Sequence, residues 1–548
     1  MRLEKYISDL TNNTNKSLIS IVALCLLFFV GIGSVHLFDW DEINFAESAR
    51  EMIESGNFLR VQINFEAFWE KPPFFFWLQV LAMKAFGVTE FAARFPNALM
   101  GIVYLITFYL IGKKHFDGKF GWMWAMIFGA SLLPHMYFKS GIIDPVFNYF
   151  IFMSIYFMAR VISGQEETKG KLALLSGLFS GLSVITKGPV GFLLLGLACL
   201  VYLIIRRFKG FPSLKYILIF LLGLLTIIGI WLSIEVAQNG WDIIEKFIAY
   251  QVDLFNRPVA GHEQPFYYHF VVVFLGVFPS SIIALPYILK RKETVTNDLL
   301  LWNQVLFWTV IILFSIVTTK IIHYSSMTYV PLSFIAAFTL YKAQNEELNR
   351  KLTNGYIFLG TFLGVVFILL PMLFIQKELL YPYLNDPFAL ASFKSAKPWV
   401  GYEPIFGVIL IVIVIISARL LRRNRKLTAV STAFLGTTLI FIGLMLFVAP
   451  KIEATTQGDA IRFYQSKANE DCYIESYGHH SYATYFYGKV AYGNPKESKE
   501  LSWLFDGPVD KDVYIATKIN NTNLDNHPNL RLYKVSGGFK FYHRPAQR

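Results

Sequence analysis

A small set of charged residues, each placed at the end of an apolar stretch, could do chemistry together. Asp41 lies in Phe38-Asp39-Trp40-Asp41-Glu42, directly after the first apolar window. The stretch 42–55 carries Phe45, Ala49, Met52 and Ile53 at helical spacing, with Glu47, Arg50 and Glu51 largely on the other sides. That spacing predicts a helix lying on the membrane surface and ended by Gly56, with Asp41 held near lipid-headgroup depth. Glu70 and Lys71 precede Pro72-Pro73, which fix the backbone and exclude helix there. A lysine is a mobile point charge suited to a phosphate. Asp144-Pro145 opens another apolar window, where the acid can cap a helix that has Pro in its first position. Lys187, in Thr186-Lys187-Gly188-Pro189, sits between two apolar segments, and an ionisable group at such a depth points to function. Arg257, His262 and Glu263 share one polar segment; Lys320, His323 and Tyr324 share another. Carboxylates so placed can deprotonate or orient an acceptor, and cations can hold a departing anion. Glu70 and His262 are the ligands a divalent metal could find here, although a lone histidine is more often not a ligand. No other cofactor is implied.

Composition sets the elements that must position these residues. Of 548 residues, 55% are hydrophobic, 17% aromatic and only 16% charged, with 52 Phe and a mean hydropathy of +0.46. Soluble chains run about 45–50% apolar and about 25% charged. A water-soluble fold of this size would lack polar surface, and disorder, a coiled coil and a disulfide framework are excluded as well. The chain reads as an all-α polytopic membrane protein. Apolar windows of bilayer length fall near 18–36, 92–112, 121–138, 143–162, 172–185, 190–206, 214–235, 269–289, 301–318, 326–342, 354–374, 403–421 and 428–449. That predicts about thirteen spans.

The formal charge of +12 does not point to nucleic acid, because 24 of the 50 Lys and Arg lie at the N-terminus and in alternate short loops. The positive-inside rule places those segments in the cytoplasm and the tail from 450 outside. The opposite loops include 37–91, 236–268 and 375–402, and loops of such length usually carry function. The tail 450–548 reads as a small α/β domain beside a membrane domain spanning 1–449. Its predicted parts are a helix at 458–468, strands at 472–477, 513–517 and 531–533, and a turn at Gly537-Gly538.

The short cytoplasmic loops leave no place for a nucleotide site, and the chain has no Gly-x-x-x-x-Gly-Lys phosphate loop. A donor usable from outside is required, and a lipid-linked one meets that requirement. The alternative is a transporter or flippase of lipid-linked sugars, which needs polar groups near mid-bilayer. Glu235 is the main acid that suits it. A third reading is an envelope scaffold built around the tail.

Taken in order, several motifs resemble the polyprenyl-phosphate-sugar-dependent glycosyltransferases of the GT-C class, above all the lipid A aminoarabinose transferase and protein mannosyltransferase-like family. They are Asp41-Glu42, Phe45-Ala46-Glu47, Arg50-Glu51-Met52, Glu70-Lys71-Pro72-Pro73 and Phe91-Ala92-Ala93-Arg94-Phe95-Pro96. Asp144-Pro145, Thr186-Lys187-Gly188-Pro189, Pro265-Phe266-Tyr267 and Lys320 with Tyr324 continue the match to about residue 335. The resemblance implies a GT-C enzyme of the bacterial inner membrane that takes a sugar from a polyprenyl phosphate carrier. The acceptor would be a lipid, glycan or protein. Asp41 matches the family's essential acid, Glu70 and Asp144 match acidic site positions, and Lys71 matches the lysine that meets the carrier phosphate. Lys187, Arg257, Lys320 and Tyr324 are further candidates for that phosphate. Asn44 and Phe45 depart from the Arg and Tyr that the aminoarabinose enzymes carry, which weakens transfer of their sugar specificity.

Overall fold

The computed structural model describes residues 2–164, 166–256, 263–290, 297–343 and 346–547. The chain opens with α1 (Arg2–Asn12) and α2 (Thr14–Cys25), which meet at a bend of 114° and run into a 3-10 turn at Leu26–Phe29. The carbonyls freed at that turn are not left bare. Lys139 donates from Nζ to the oxygens of Leu27, Phe28 and Val30 at 3.2, 3.1 and 2.9 Å, which satisfies groups a helix end always orphans.

An extramembrane segment follows, made of α3 (Asp41–Ser55), a short hairpin of β1 (Gln62–Ile63) and β2 (Glu66–Ala67), and α4 (Phe74–Phe86). The helical body then comprises α5 (Glu90–His115), α6 (Gly118–Ala130), α7 (Leu132–Tyr137), α8 (Asp144–Ser163), α9 (Glu166–Lys187), α10 (Val190–Ile205), α11 (Leu214–Asn239) and α12 (Asp242–Asn256). It continues through α13 (Tyr268–Gly276), α14 (Ser280–Ile283), α15 (Leu285–Ile288), α16 (Asp298–Ile316), α17 (Tyr329–Lys342), α18 (Arg350–Ile375), α19 (Pro387–Ser395), α20 (Ile405–Arg422) and α21 (Lys426–Gly443). Every apolar window of the sequence falls mainly on helix, although 18–36 leaves it after Phe29. Among the described residues, seven helices are long and apolar enough to cross a membrane, or eight if the bent first pair is one span. Other windows are divided: α6 and α7 break at Ser131, and the window 269–289 is shared by α13, α14 and α15.

The C-terminal unit holds α22 (Ala449–Thr456), α23 (Gly458–Lys467), β3 (Cys472–Tyr477), α24 (Ala483–Gly488), α25 (Leu501–Asp506), β4 (Asp512–Lys518), β5 (Arg531–Ser536) and β6 (Phe539–Arg544). Its sheet has the order β3-β4-β6-β5, with β3 and β4 parallel and the other pairs antiparallel. Gly537 and Gly538, at φ of +56° and +86°, make the tight β5–β6 turn that side chains would resist. Strand β6 adds to the strands expected from the sequence.

The reading of α3 as a surface helix is corrected. Glu42, Glu47, Arg50 and Glu51 are all buried along with its apolar face. Arg50 grips Glu47 through two bonds of 2.7 and 2.6 Å, whereas Glu51 accepts the Phe65 N–H at 2.7 Å and is pushed up to about 9 by burial and by Glu47 beside it, which keeps it protonated. What covers the helix is the C-terminal unit. One core joins Ile43, Phe45 and Ala49 to Tyr464, Phe486 and Tyr487. Gly56 does end the helix, in the left-handed conformation at φ +70°.

Candidate active site

The site lies where α3, α8 and α9 present their ends on one face of the bundle. Helix α5 runs for 26 residues from Glu90 on this face to Lys113-Lys114-His115 at its other end. At 1.5 Å per residue the two ends are about 39 Å apart.

Asp41 is the first residue of α3, with its side chain 42% exposed, and among the described residues His323 Nε2 stands 3.6 Å from its carboxylate. Glu70 and Lys71 meet each other at 2.7 Å ahead of α4. Asp144 opens α8, but it does not cap it: Ile143 holds the N-cap position, and the carboxylate turns instead to Lys187 Nζ at 2.7 Å. The expected capping role is therefore replaced by an ion pair. The second oxygen of Asp144 is buried without a partner among the described residues. Lys187 ends α9, where Gly188 at φ +94° turns the chain toward α10.

These groups converge on the 3-10 turn Ile322–Thr328. The Tyr324 hydroxyl feels Lys71, Asp144, Asp41 and Glu70 together. Burial pushes its pKa up, and the acids add to that shift while Lys71 opposes it. His323 feels Asp144, Lys187, Asp41 and Lys71; burial holds it below the usual histidine range. Lys187 also lies over the Tyr324 ring at 5.9 Å. Six residues named from the sequence, Asp41, Glu70, Lys71, Asp144, Lys187 and Tyr324, thus share one neighbourhood. Lys320 is buried nearby, where its charge and that of His323 act on His269. Arg257 and His262 lie outside the described residues. Among the described residues, no group of three or more His, Cys, Asp or Glu is arranged to hold a metal ion. Glu70 is engaged by Lys71 and by Tyr250.

The structure adds residues the sequence did not single out. Tyr250 of α12 sits against Glu70, and burial with that carboxylate pushes its hydroxyl up. Tyr482, just ahead of α24, faces Glu70, Asn44, Asp39 and Asp41, and burial raises its pKa to about 12. Its signal was hidden because the tail reads as a separate domain. His323 was visible in its loop but carried no spacing to assign it a role.

The loop ahead of Asp41 is held rigidly. Asp39 accepts a hydrogen bond from the Ser481 hydroxyl and another from the Tyr482 N–H at 3.3 Å. Burial lifts the Asp39 carboxyl to about 6 against these two bonds. Gln457 brackets the same loop, donating to the Leu37 oxygen at 2.6 Å and accepting the Asp39 N–H at 3.2 Å.

Glu42, next to Asp41, is structural. Arg94 donates to both its oxygens at 3.0 and 2.8 Å, and the N–H groups of Phe38 and Gly141 donate at 3.0 and 2.6 Å. Burial alone would raise its pKa, but these donors hold it below the usual carboxylate range. Glu235, the acid that suited a transporter, is likewise saturated by Arg60 at 2.9 Å and Asn239 at 2.8 Å. Of the two positions that depart from the aminoarabinose enzymes, Asn44 lies beside Tyr482 and Phe45 packs into a ring cluster with Phe75 and Phe76.

Comparisons with known proteins find relatives for this fold. The family model described as dolichyl-phosphate-mannose-protein mannosyltransferase matches residues 70–233, the stretch that carries Glu70, Lys71, Asp144 and Lys187. An uncharacterized protein of Aquifex aeolicus (strain VF5) is 29% identical over 403 residues, covering 72% of this chain and 76% of that protein. The undecaprenyl phosphate-alpha-4-amino-4-deoxy-L-arabinose arabinosyl transferase of Wigglesworthia glossinidia brevipalpis is 26% identical over 66% of each chain. The crystal structure of ArnT from Cupriavidus metallidurans in the apo state matches with a TM-score of 0.77 at 18% identity, over 96% of this chain and 98% of that one. The same protein bound to undecaprenyl phosphate also matches at 0.77, with 16% identity over 96% and 97% of the two chains. The chain therefore has the ArnT-like GT-C fold, all-α in the membrane with a small C-terminal sheet.

Proposed function

We propose that this protein is an integral-membrane glycosyltransferase that moves a sugar from an undecaprenyl-phosphate-type carrier to an acceptor on the outer face of the bacterial inner membrane. The observation that carries this reading is the meeting of Asp41, Glu70-Lys71 and Asp144-Lys187 around His323 and Tyr324 at one end of the bundle. The likeness to the arabinosyl transferases supports the choice of donor.

Each element has a task in that reaction. The acceptor oxygen attacks the anomeric carbon, the bond from that carbon to the carrier's phosphate oxygen breaks, and the carrier departs as a phosphate anion. Such a leaving group needs charge stabilisation more than protonation. Lys71 and Lys187 supply it by shifting from their carboxylates toward the phosphate. Asp41, half-exposed and 3.6 Å from His323, takes the acceptor's proton or orients an acceptor already ionised. Direct displacement of this kind inverts the anomeric centre. The basic ends of α5, α8 and α20 face the cytoplasm, which puts the site and the C-terminal unit outside. Residues 1–449 form the transferase body and 450–548 the extracytoplasmic unit. The acceptor is a glycolipid, a glycan or a protein.

The test is mass spectrometry of envelope lipids and glycans from a deletion strain complemented with wild type or Asp41→Asn. One sugar-bearing species should vanish on deletion, return with wild type and stay absent with the variant. Identical envelopes in all strains would overturn the assignment.

A further inference from the structure

The C-terminal unit does more than cover α3. Its segment 479–482 lies over the loop that carries Asp41, and three rings meet there. Trp40 packs edge-on to His480 at 5.2 Å and to Tyr482 at 6.2 Å, and His480 packs edge-on to Tyr482 at 4.6 Å. Tyr482 is buried and faces Glu70 and Asp41, whereas Trp40 is 51% exposed and His480 is exposed. The arrangement is rigid, because Asp39 is pinned by Ser481, Tyr482 and Gln457. Two open rings backed by the buried Tyr482, beside the half-exposed carboxylate of Asp41, form a wall whose base is polar and whose rim is apolar. A sugar ring has the same two characters, a C–H face and a set of hydroxyls.

We propose that Trp40, His480 and Tyr482 form the subsite that holds the sugar being transferred, so that the C-terminal unit supplies part of the substrate cavity. This rests on the glycosyl-transfer reading above. Lys71 and Lys187 bind the phosphate and the bundle binds the chain of any carrier, loaded or bare. The aromatic wall meets only the sugar. Carrier affinity and sugar recognition are therefore separable, and they divide between the two parts of the chain.

The experiment measures binding of the full-length protein in nanodiscs to bare undecaprenyl phosphate and to the same lipid carrying 4-amino-4-deoxy-L-arabinose or mannose. Wild type should bind one loaded carrier at least tenfold more tightly than the bare lipid. Trp40→Ala, His480→Ala and the milder Tyr482→Phe should keep bare-carrier affinity within twofold and lose that increment. Variants that keep the increment would overturn the subsite. So would wild type that binds bare and loaded carriers equally, or variants that lose bare-carrier binding as well, the result expected if Trp40 is a membrane anchor. Wild type that binds none of these lipids would instead overturn the glycosyl-transfer reading itself.

Discussion

Two acidic regions meet at the start of α3. Around Glu42, Arg94 and two backbone N–H groups supply four donors, and Arg94 spends its remaining N–H groups on the carbonyls of Ile32, Val35 and His36. Around Asp41, one residue earlier, the carboxylate is 42% exposed and His323 stands 3.6 Å away. The same side-chain chemistry therefore serves two ends. A saturated buried charge holds the loop in place, and an unsaturated one beside it stays half-exposed. The ion pairs Glu70–Lys71 and Asp144–Lys187 stand between these extremes, each a contact of 2.7 Å, with Tyr250 a further partner of Glu70 and the second oxygen of Asp144 unpartnered among the described residues.

The sharpest way to break the comparison is at Arg94. Arg94→Leu leaves Glu42 buried without its counter-charge, a loss of about 3–5 kcal/mol. Folded protein should disappear from membranes, as read by size-exclusion of detergent extracts. Asp41→Asn should do the reverse, leaving yield and melting unchanged while turnover at saturating carrier falls about 10²–10⁴-fold. If Asp41→Asn destabilised the fold as Arg94→Leu does, the division between the two regions would collapse. Lys71→Ala removes a charge-assisted contact to the phosphate and should weaken binding of undecaprenyl phosphate about tenfold or more, with little change in melting. Unchanged binding would move the phosphate toward Lys187 alone.

The smallest effect belongs to a third acid, Glu475 of β3. Burial lifts its carboxyl from the usual 4.5 to about 7, against bonds from Ser476 and Tyr485. The folded state therefore holds a proton that the unfolded state releases. This contribution to stability is complete below pH 4.5 and is lost as the pH rises through 7. Glu475→Gln should raise the melting temperature by about 2–4 °C at pH 8 and leave it nearly unchanged at pH 5. Equal shifts at both pH values would show that burial of this carboxyl is not the cause.

Much of the candidate site was legible in the sequence. Asp41, Glu70, Lys71, Asp144 and Lys187 stood out because an ionisable group at the end of an apolar window has few other reasons to be there. Their partners were not legible. Nothing near Asp144 announces Lys187, and a helix cap was the more local expectation. The burial of α3 was misread for the same reason: its charged faces look solvated until α24 and the Phe65 loop are placed on them. Tyr250 and Tyr482 lay in segments whose local pattern says only loop or separate domain.

By itself, the sequence determined which segments leave water, which end of the bundle bears the long polar loops, and where three of the four strands of the tail lie. Those are sums over neighbouring residues, and hydrophobic burial adds up along the chain. Only the tertiary structure decided which charges are saturated by partners and which keep open capacity. Arg94 reaches Glu42 across 52 residues and Arg60 reaches Glu235 across 175. A charge's role depends on how many donors meet it in space, and the residues that supply them are set by packing rather than by the chain around it.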